Sequence, residues 1–530
     1  MAVTASKAQS RALSCRRAPL GAFSVLMAAL VAASVFSPLA QAIEWDVTPS
    51  ISATSTATDN SSQSSSNSQG SLITTVSPGI SLVSKGSRRI KAALSYRVTG
   101  IVRVGGDNQS NNINHNLAAN GKAELVEDFL YLDGSANISQ QLISLLGSPA
   151  DANTNNSNRA TVGTYSISPY AQKRFGSFAN GLLRYTHSAA IFQNNVSGNS
   201  QSDGVIAALS SGSRFDVIDW SLNYSERHTN NGSSTSLQSN TTNFETESAT
   251  LGLKVSRTFR VFATVGRDSN NFINAAELNG DYYTAGVDWR PSDRTSIQAS
   301  AGKRYLGNTY ALSLRHSGHH THWGASYSES VSDVSQQQQE VGSTLLYLCS
   351  GLVVPVIPPA EPLTGCTGPL TLTEILFLAQ FNPALFSGNY LSTSLVKGVF
   401  INKSFNSNVN WSHGKLGLGV SVFDTRRVFI LQGNQEDHSS GITGTVNYRL
   451  TPTISADGSL SFTNYQTPGS LSGLAVNRSD DLYTVSFGLT RRFDPKLTGS
   501  LRFLHQTRQS NQATGNFDSN SIIASVNKTF

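Results

Sequence analysis

Nine charged residues recur at alternate positions in runs whose neighbours are apolar: Arg97, Arg184, Asp219, Arg227, Lys254, Asp288, Arg315, Arg449 and Arg502. Period two puts such residues on one face of a strand and their apolar neighbours on the other. Turned toward hydrocarbon, each Arg or Lys would cost about 2–4 kcal/mol near a bilayer midplane. These nine are therefore expected to face water and to line a polar lumen. Basic residues outnumber acidic ones among them, which points to a wall tolerant of anions or acidic sugars. The same Arg and Asp equally suit structural pairs across a lumen.

Two other groups have chemical potential. His319-His320-Thr-His322 falls in an expected periplasmic turn. Clustered imidazoles bind metal, but no acidic or Cys partner is nearby in sequence, so a solvated turn is the simpler reading and no metal site is expected. Cys349 and Cys366 share one Pro-rich, loop-like segment. In an oxidising compartment an even pair is most simply a disulfide. No G-x-S-x-G, H-E-x-x-H or P-loop pattern occurs, so neither an enzyme nor a cofactor is expected.

The elements that must position these residues begin after an export signal. Residues 1–42 open with Lys7, Arg11, Arg16 and Arg17, continue through the apolar stretch Leu20 to Phe36, and end on Ala40-Gln-Ala42, a small-residue cleavage site. Cys15 precedes the apolar stretch, unlike a lipoprotein cysteine. The formal charge of +6 includes those four basic residues, which leaves +2 for the mature chain and argues against a nucleic-acid partner. Beyond Ala42 no apolar run is long enough for a spanning helix. An exported chain of this kind still crosses a membrane as a β-barrel.

From Ile43 to Phe530 the chain reads as segments of alternating polarity. Ile90, Ala92, Leu94, Tyr96 and Val98 alternate with Lys91, Ser95, Arg97 and Thr99; Tyr283, Ala285, Val287 and Trp289 alternate with Thr284, Gly286 and Asp288. Short connections (Arg290 to Arg294, Ser412 to Lys415, Asp494 to Lys496) take turns with long ones rich in Asn, Ser, Gly and Gln (Leu142 to Asn158, Thr229 to Asn243, Gln466 to Asp480). That asymmetry is expected of an outer-membrane barrel with periplasmic turns and external loops. Counting hairpins predicts an all-β, single large antiparallel barrel of about 22 strands, with both termini periplasmic. In this threading Trp45, Trp220, Trp289, Trp323 and Trp411 all fall at the periplasmic rim, as an aromatic girdle. The last strand puts Ile522, Ala524, Val526 and Phe530 on one face. It resembles the terminal strand of outer-membrane barrels, whose final Phe belongs to the signal read by the assembly machinery; Lys528 departs from that pattern. Residues 332–393 form one anomalously long connection, expected to be extracellular or folded into the lumen.

Several stretches resemble the outer-membrane barrels associated with exosortase (PEP-CTERM) and exopolysaccharide loci of Gram-negative bacteria. They are Trp45-Asp-Val-Thr-Pro49-Ser-Ile51, Leu72 to Leu82, Ala123 to Leu130, and Tyr165-Ser-Ile-Ser-Pro169-Tyr170. The resemblance implies a component of biofilm or polysaccharide export, with outer-membrane lipids, the barrel assembly machinery and periplasmic polysaccharide-export components as partners. It carries no catalytic residues. The expected function is a porin-like conduit; the alternative is a non-conducting structural or adhesive barrel with exposed loops. A TonB-dependent receptor is disfavoured, because no plug-sized domain precedes the first expected strand.

Overall fold

Alternation at period two leaves each long segment with one apolar and one polar face, and the strands these segments form are ordered by that contrast. The computed structural model describes residues 44–66, 68–106, 112–143, 147, 158–193, 199–231, 241–271, 279–305, 307–333, 345–349, 352–356, 399–430, 435–469 and 477–530. The expected signal at 1–42 and Cys366 lie outside the described residues, as does the side chain of Cys349.

The first strands are β1 (Glu44–Thr58), β2 (Ser71–Lys85), β3 (Ile90–Gly105), β4 (Asn112–Val126), β5 (Leu130–Leu142), β6 (Arg159–Phe175) and β7 (Ala179–Phe192). Then come β8 (Ser200–Ser211), β9 (Ile218–Asn231), β10 (Thr241–Lys254), β11 (Phe259–Asn270), β12 (Gly280–Ser292), β13 (Thr295–Arg304), β14 (Gly307–Ser317) and β15 (Thr321–Asp333). A separate two-stranded hairpin, β16 (Leu345–Cys349) with β17 (Leu352–Val356), interrupts the series. It falls inside the long connection expected at 332–393. The series resumes with β18 (Val399–His413), β19 (Leu416–Phe429), β20 (Gln435–Arg449), β21 (Ile454–Thr467), β22 (Arg478–Asp494), β23 (Leu497–Ser510) and β24 (Phe517–Thr529).

Apart from the hairpin these form one 22-stranded antiparallel sheet, in which β1 pairs with both β2 and β24. The seam runs from Ser50 opposite Thr529 to Thr58 opposite Ser521, and the Phe530 amide donates to the Pro49 carbonyl at 3.0 Å. A sheet closed in this way has no bare edge, which is what a β-structure in hydrocarbon requires.

Burial runs opposite to that of a water-soluble protein. Leu251, Val265, Tyr283 and Leu460 are 60–62% exposed, whereas Ser52, Thr75, Ser77, Ser95 and Thr99 are buried. The large apolar side chains point away from the sheet's interior and the small polar ones into it. Even-numbered links between strands are short, such as the two-residue connections at 293–294, 414–415 and 495–496. In the second of these, Gly414 supplies a φ of +57°. Glu44, the first described residue, and Phe530 both lie on this short-turn side.

Candidate functional site: the lumen and its periplasmic mouth

The wall is built from inward positions whose identity follows from strand parity. On β3, Ser95, Thr99 and Ile101 are buried on the inner side while Val102 and Val104 are exposed on the outer side, so Arg97 points inward. The same parity turns inward Arg184 on β7, Asp219 and Arg227 on β9, Lys254 on β10, and Asp288 on β12. It does likewise for Arg315 on β14, Arg449 on β20 and Arg502 on β23.

Several of these are brought together by residues outside the nine. Arg260 of β11 sits between Asp219 and Asp288: its Nε donates to Asp219 Oδ2 at 2.8 Å and its Nη1 to Asp288 Oδ2 at 2.6 Å. Arg184 reaches Asp133 of β5 at 3.1 Å and lies 4.1 Å over the Tyr170 ring. Arg502 Nη2 donates to Asp457 Oδ2 at 2.7 Å, and its Nη1 to Ser486 Oγ at 3.2 Å. Arg227 stands 5.0 Å from the Phe244 ring. Further inward pairs join Arg304 to Asp268 and Arg427 to Asp437, with Nε–Oδ distances of 3.0 and 2.9 Å.

Strand parity turns Arg260 inward, since Val261, Ala263 and Val265 are its outward neighbours. Phe262, an apolar residue on the inner face, obscures the alternation there. Phe429 does the same beside Arg427.

The periplasmic mouth has a charge of its own. Lys91, Arg174, Lys254, Arg315, Arg449 and Arg492 take inward positions close to the periplasmic ends of β3, β6, β10, β14, β20 and β22. Among the described residues none of these six has a carboxylate within ion-pair distance, although Lys254 acts on Asp219 from farther off. The inward aspartates at 133, 219, 268, 288, 437, 457 and 480 are each matched by an arginine. Inward Glu44 and Glu124 at this end have no arginine partner among the described residues, but the six cations outnumber them, so the surplus is cationic.

The opposite end is narrowed. The link from β1 to β2, described at 59–66 and 68–70, folds back toward β23 and β24: Gln63 Nε2 donates to Gln506 Oε1 at 2.8 Å, and Asn60 Nδ2 to the Asp518 carbonyl at 2.8 Å. Gln63 is buried with φ +50°, a left-handed backbone for a non-glycine residue. Arg508 of β23 donates from Nη1 to the carbonyl of Gly147, in the link after β5, at 2.7 Å. Beside it Asp480 is fully buried, ion-paired to Arg478 at 2.7 Å and accepting from Ser510 Oγ at 2.5 Å. Inward apolar residues at this end form one buried cluster of Ala160, Val162, Ala190, Phe192, Phe400 and Phe429. In the turn after β13, Tyr305 accepts from Asn270 Nδ2 at 3.0 Å, and burial, aided by Asp268, pushes its phenol up.

The five tryptophans lie on the outer face near periplasmic strand ends. Trp220 packs with Phe178 and Phe215, Trp323 with His316 at 5.3 Å, and Trp411 with His413 at 6.1 Å. On β24, Ile522, Val526 and Phe530 are exposed on the outer face, with Ala524 between them. Lys528 shares that face, its ammonium 5.4 Å from the Phe530 ring, so its charge can reach headgroups while its stem stays in the belt. His319 and His320 stand in the β14–β15 turn, and among the described residues no three metal-ligating side chains converge.

The chain is an outer-membrane β-barrel. Both termini are periplasmic, and contact with outer-membrane lipid and the barrel assembly machinery fits such a fold. No protein-family model matches the sequence, and no curated protein does. Several solved structures resemble it in outline. The FrpB iron transporter from Neisseria meningitidis is 10% identical, with 92% of this chain and 83% of that one covered and a TM-score of 0.48. The siderophore receptor PirA from Acinetobacter baumannii is 8% identical, with 92% and 80% covered and a TM-score of 0.49. A ferric enterobactin receptor mutant from Pseudomonas aeruginosa gives 10%, 92%, 81% and 0.47.

The expected kinship with exosortase-associated barrels is corrected by these findings. No family model supports it, and the similar structures are an iron transporter and siderophore receptors. The exopolysaccharide and biofilm role falls with it. The stretches that suggested it are alternation and turn patterns, which the lipid and lumen faces impose on unrelated barrels alike.

Proposed function

We propose that this barrel is a passive conduit that favours anionic solutes, admitting them through a cationic periplasmic mouth and restricting them at a narrow extracellular end. The observation that carries the reading is the unmatched positive charge at Lys91, Arg174, Lys254, Arg315, Arg449 and Arg492, set against aspartates already paired with arginine. A ring of one sign at a low-dielectric mouth concentrates counter-charged solutes and biases permeation. The nine charged residues read from the sequence are proposed as part of this lumen wall. The same proposal includes an export signal at 1–42, one barrel from 43 onward, and the 332–393 connection as extracellular or inward-folded.

The inward fold of residues 59–70 favours one second reading, a barrel shut at rest that serves structurally or as an adhesin. Reversal potentials in planar bilayers under a salt gradient separate the two. The conduit predicts anion selectivity that weakens or inverts in the triple variant Lys254→Glu, Arg315→Glu, Arg449→Glu. A correctly folded barrel that passes no current, even with residues 61–68 excised, would overturn it.

A further inference from the structure

The periplasmic turns that flank the β15–β18 pair bring histidines from distant sequence positions together. His320, in the β14–β15 turn, lies 4.9 Å from His413, at the end of β18, ring centre to ring centre. His319 is 6.0 Å from His320. All three are solvent-exposed. His320 Nδ1 is 3.0 Å from the backbone carbonyl of Ser412, which can only accept, so Nδ1 carries the proton. In the neutral ring the lone pair is therefore on Nε2. A histidine whose Nδ1–H is held by a carbonyl and whose Nε2 is free has the orientation seen in metal-ligating imidazoles.

We propose that His320 and His413 form a two-imidazole site for a borderline-soft divalent ion of the zinc, copper or nickel class, with water completing the coordination. Imidazole without thiolate or a carboxylate cage selects this class over calcium or magnesium. Bound metal would tie the β14–β15 turn to the β18–β19 turn across the periplasmic rim. Nothing in this site depends on whether the lumen conducts.

Trp411 supplies the readout, because its ring stacks on His413 at 6.1 Å. Copper(II) bound at His413 should quench it. Titrating tag-free barrel in detergent micelles with Cu2+ at pH 7.5 is expected to give a saturable, partial loss of fluorescence that Zn2+ reverses. The loss should be abolished in His320→Ala/His413→Ala and largely absent in Trp411→Phe. It should persist in His187→Ala/His505→Ala, which removes two histidines from the outer face of other strands. At pH 5 it should vanish, since the ligands must be neutral. Heat-modifiable gel mobility verifies that each variant is folded. Saturable quenching that survives in a folded His320→Ala/His413→Ala barrel would overturn the proposal, as would a wild-type titration without saturation.

Discussion

Arg502 and Asp457 meet on the inner wall with only 4% and 9% of their side chains exposed. Removing one partner of a pair this buried strands the other's charge. Arg502→Ala is therefore expected to lower unfolding stability by about 3–5 kcal/mol, whereas replacing both partners with neutral residues of similar volume should recover most of the loss. Urea unfolding in lipid vesicles, run as a double-mutant cycle, checks this. Arg502 itself was legible, because Leu501 and Phe503 are outward and leave it the lumen. Its partner was not, since strand parity gives the face of a residue but not which residue two strands away it meets. The pivot Arg260 and the pair Arg427–Asp437 were obscured for a different reason: aromatic side chains occur on the inner face too, and there the alternation blurs.

At the scale of the strand, the outward face is set by lipid and the inward one by water, so neighbouring positions should respond oppositely. Leu460 on β21 is 62% exposed on the outer face, and Ser461 beside it points inward. Leu460→Arg should cost about 2–4 kcal/mol of stability in vesicles, while Ser461→Arg should cost little. Equal costs would contradict the assigned register. The strand number was readable because lipid constrains every outward residue along a strand. The inward fold of residues 59–70 was not, since its Ser, Asn and Gln look the same in an external loop as in a constriction. Excising 61–68 removes the Gln63–Gln506 hydrogen bond and the buried left-handed residue, and should raise single-channel conductance without unfolding the barrel.

For the whole molecule, the closed 22-stranded sheet separates a greasy exterior from a wall whose surplus charge is positive at the periplasmic mouth. Reactivity at single cysteines tests both halves of that statement together, in a background where Cys349 and Cys366 are serine. Ser461→Cys and Leu460→Cys barrels in lipid vesicles would be treated with thiosulfonate reagents of similar size and opposite charge. Ser461→Cys is expected to be modified, faster by the anionic reagent than by the cationic one, and Leu460→Cys is expected to stay unmodified. Modification of Leu460→Cys with Ser461→Cys protected, or faster entry of the cationic reagent, would contradict it.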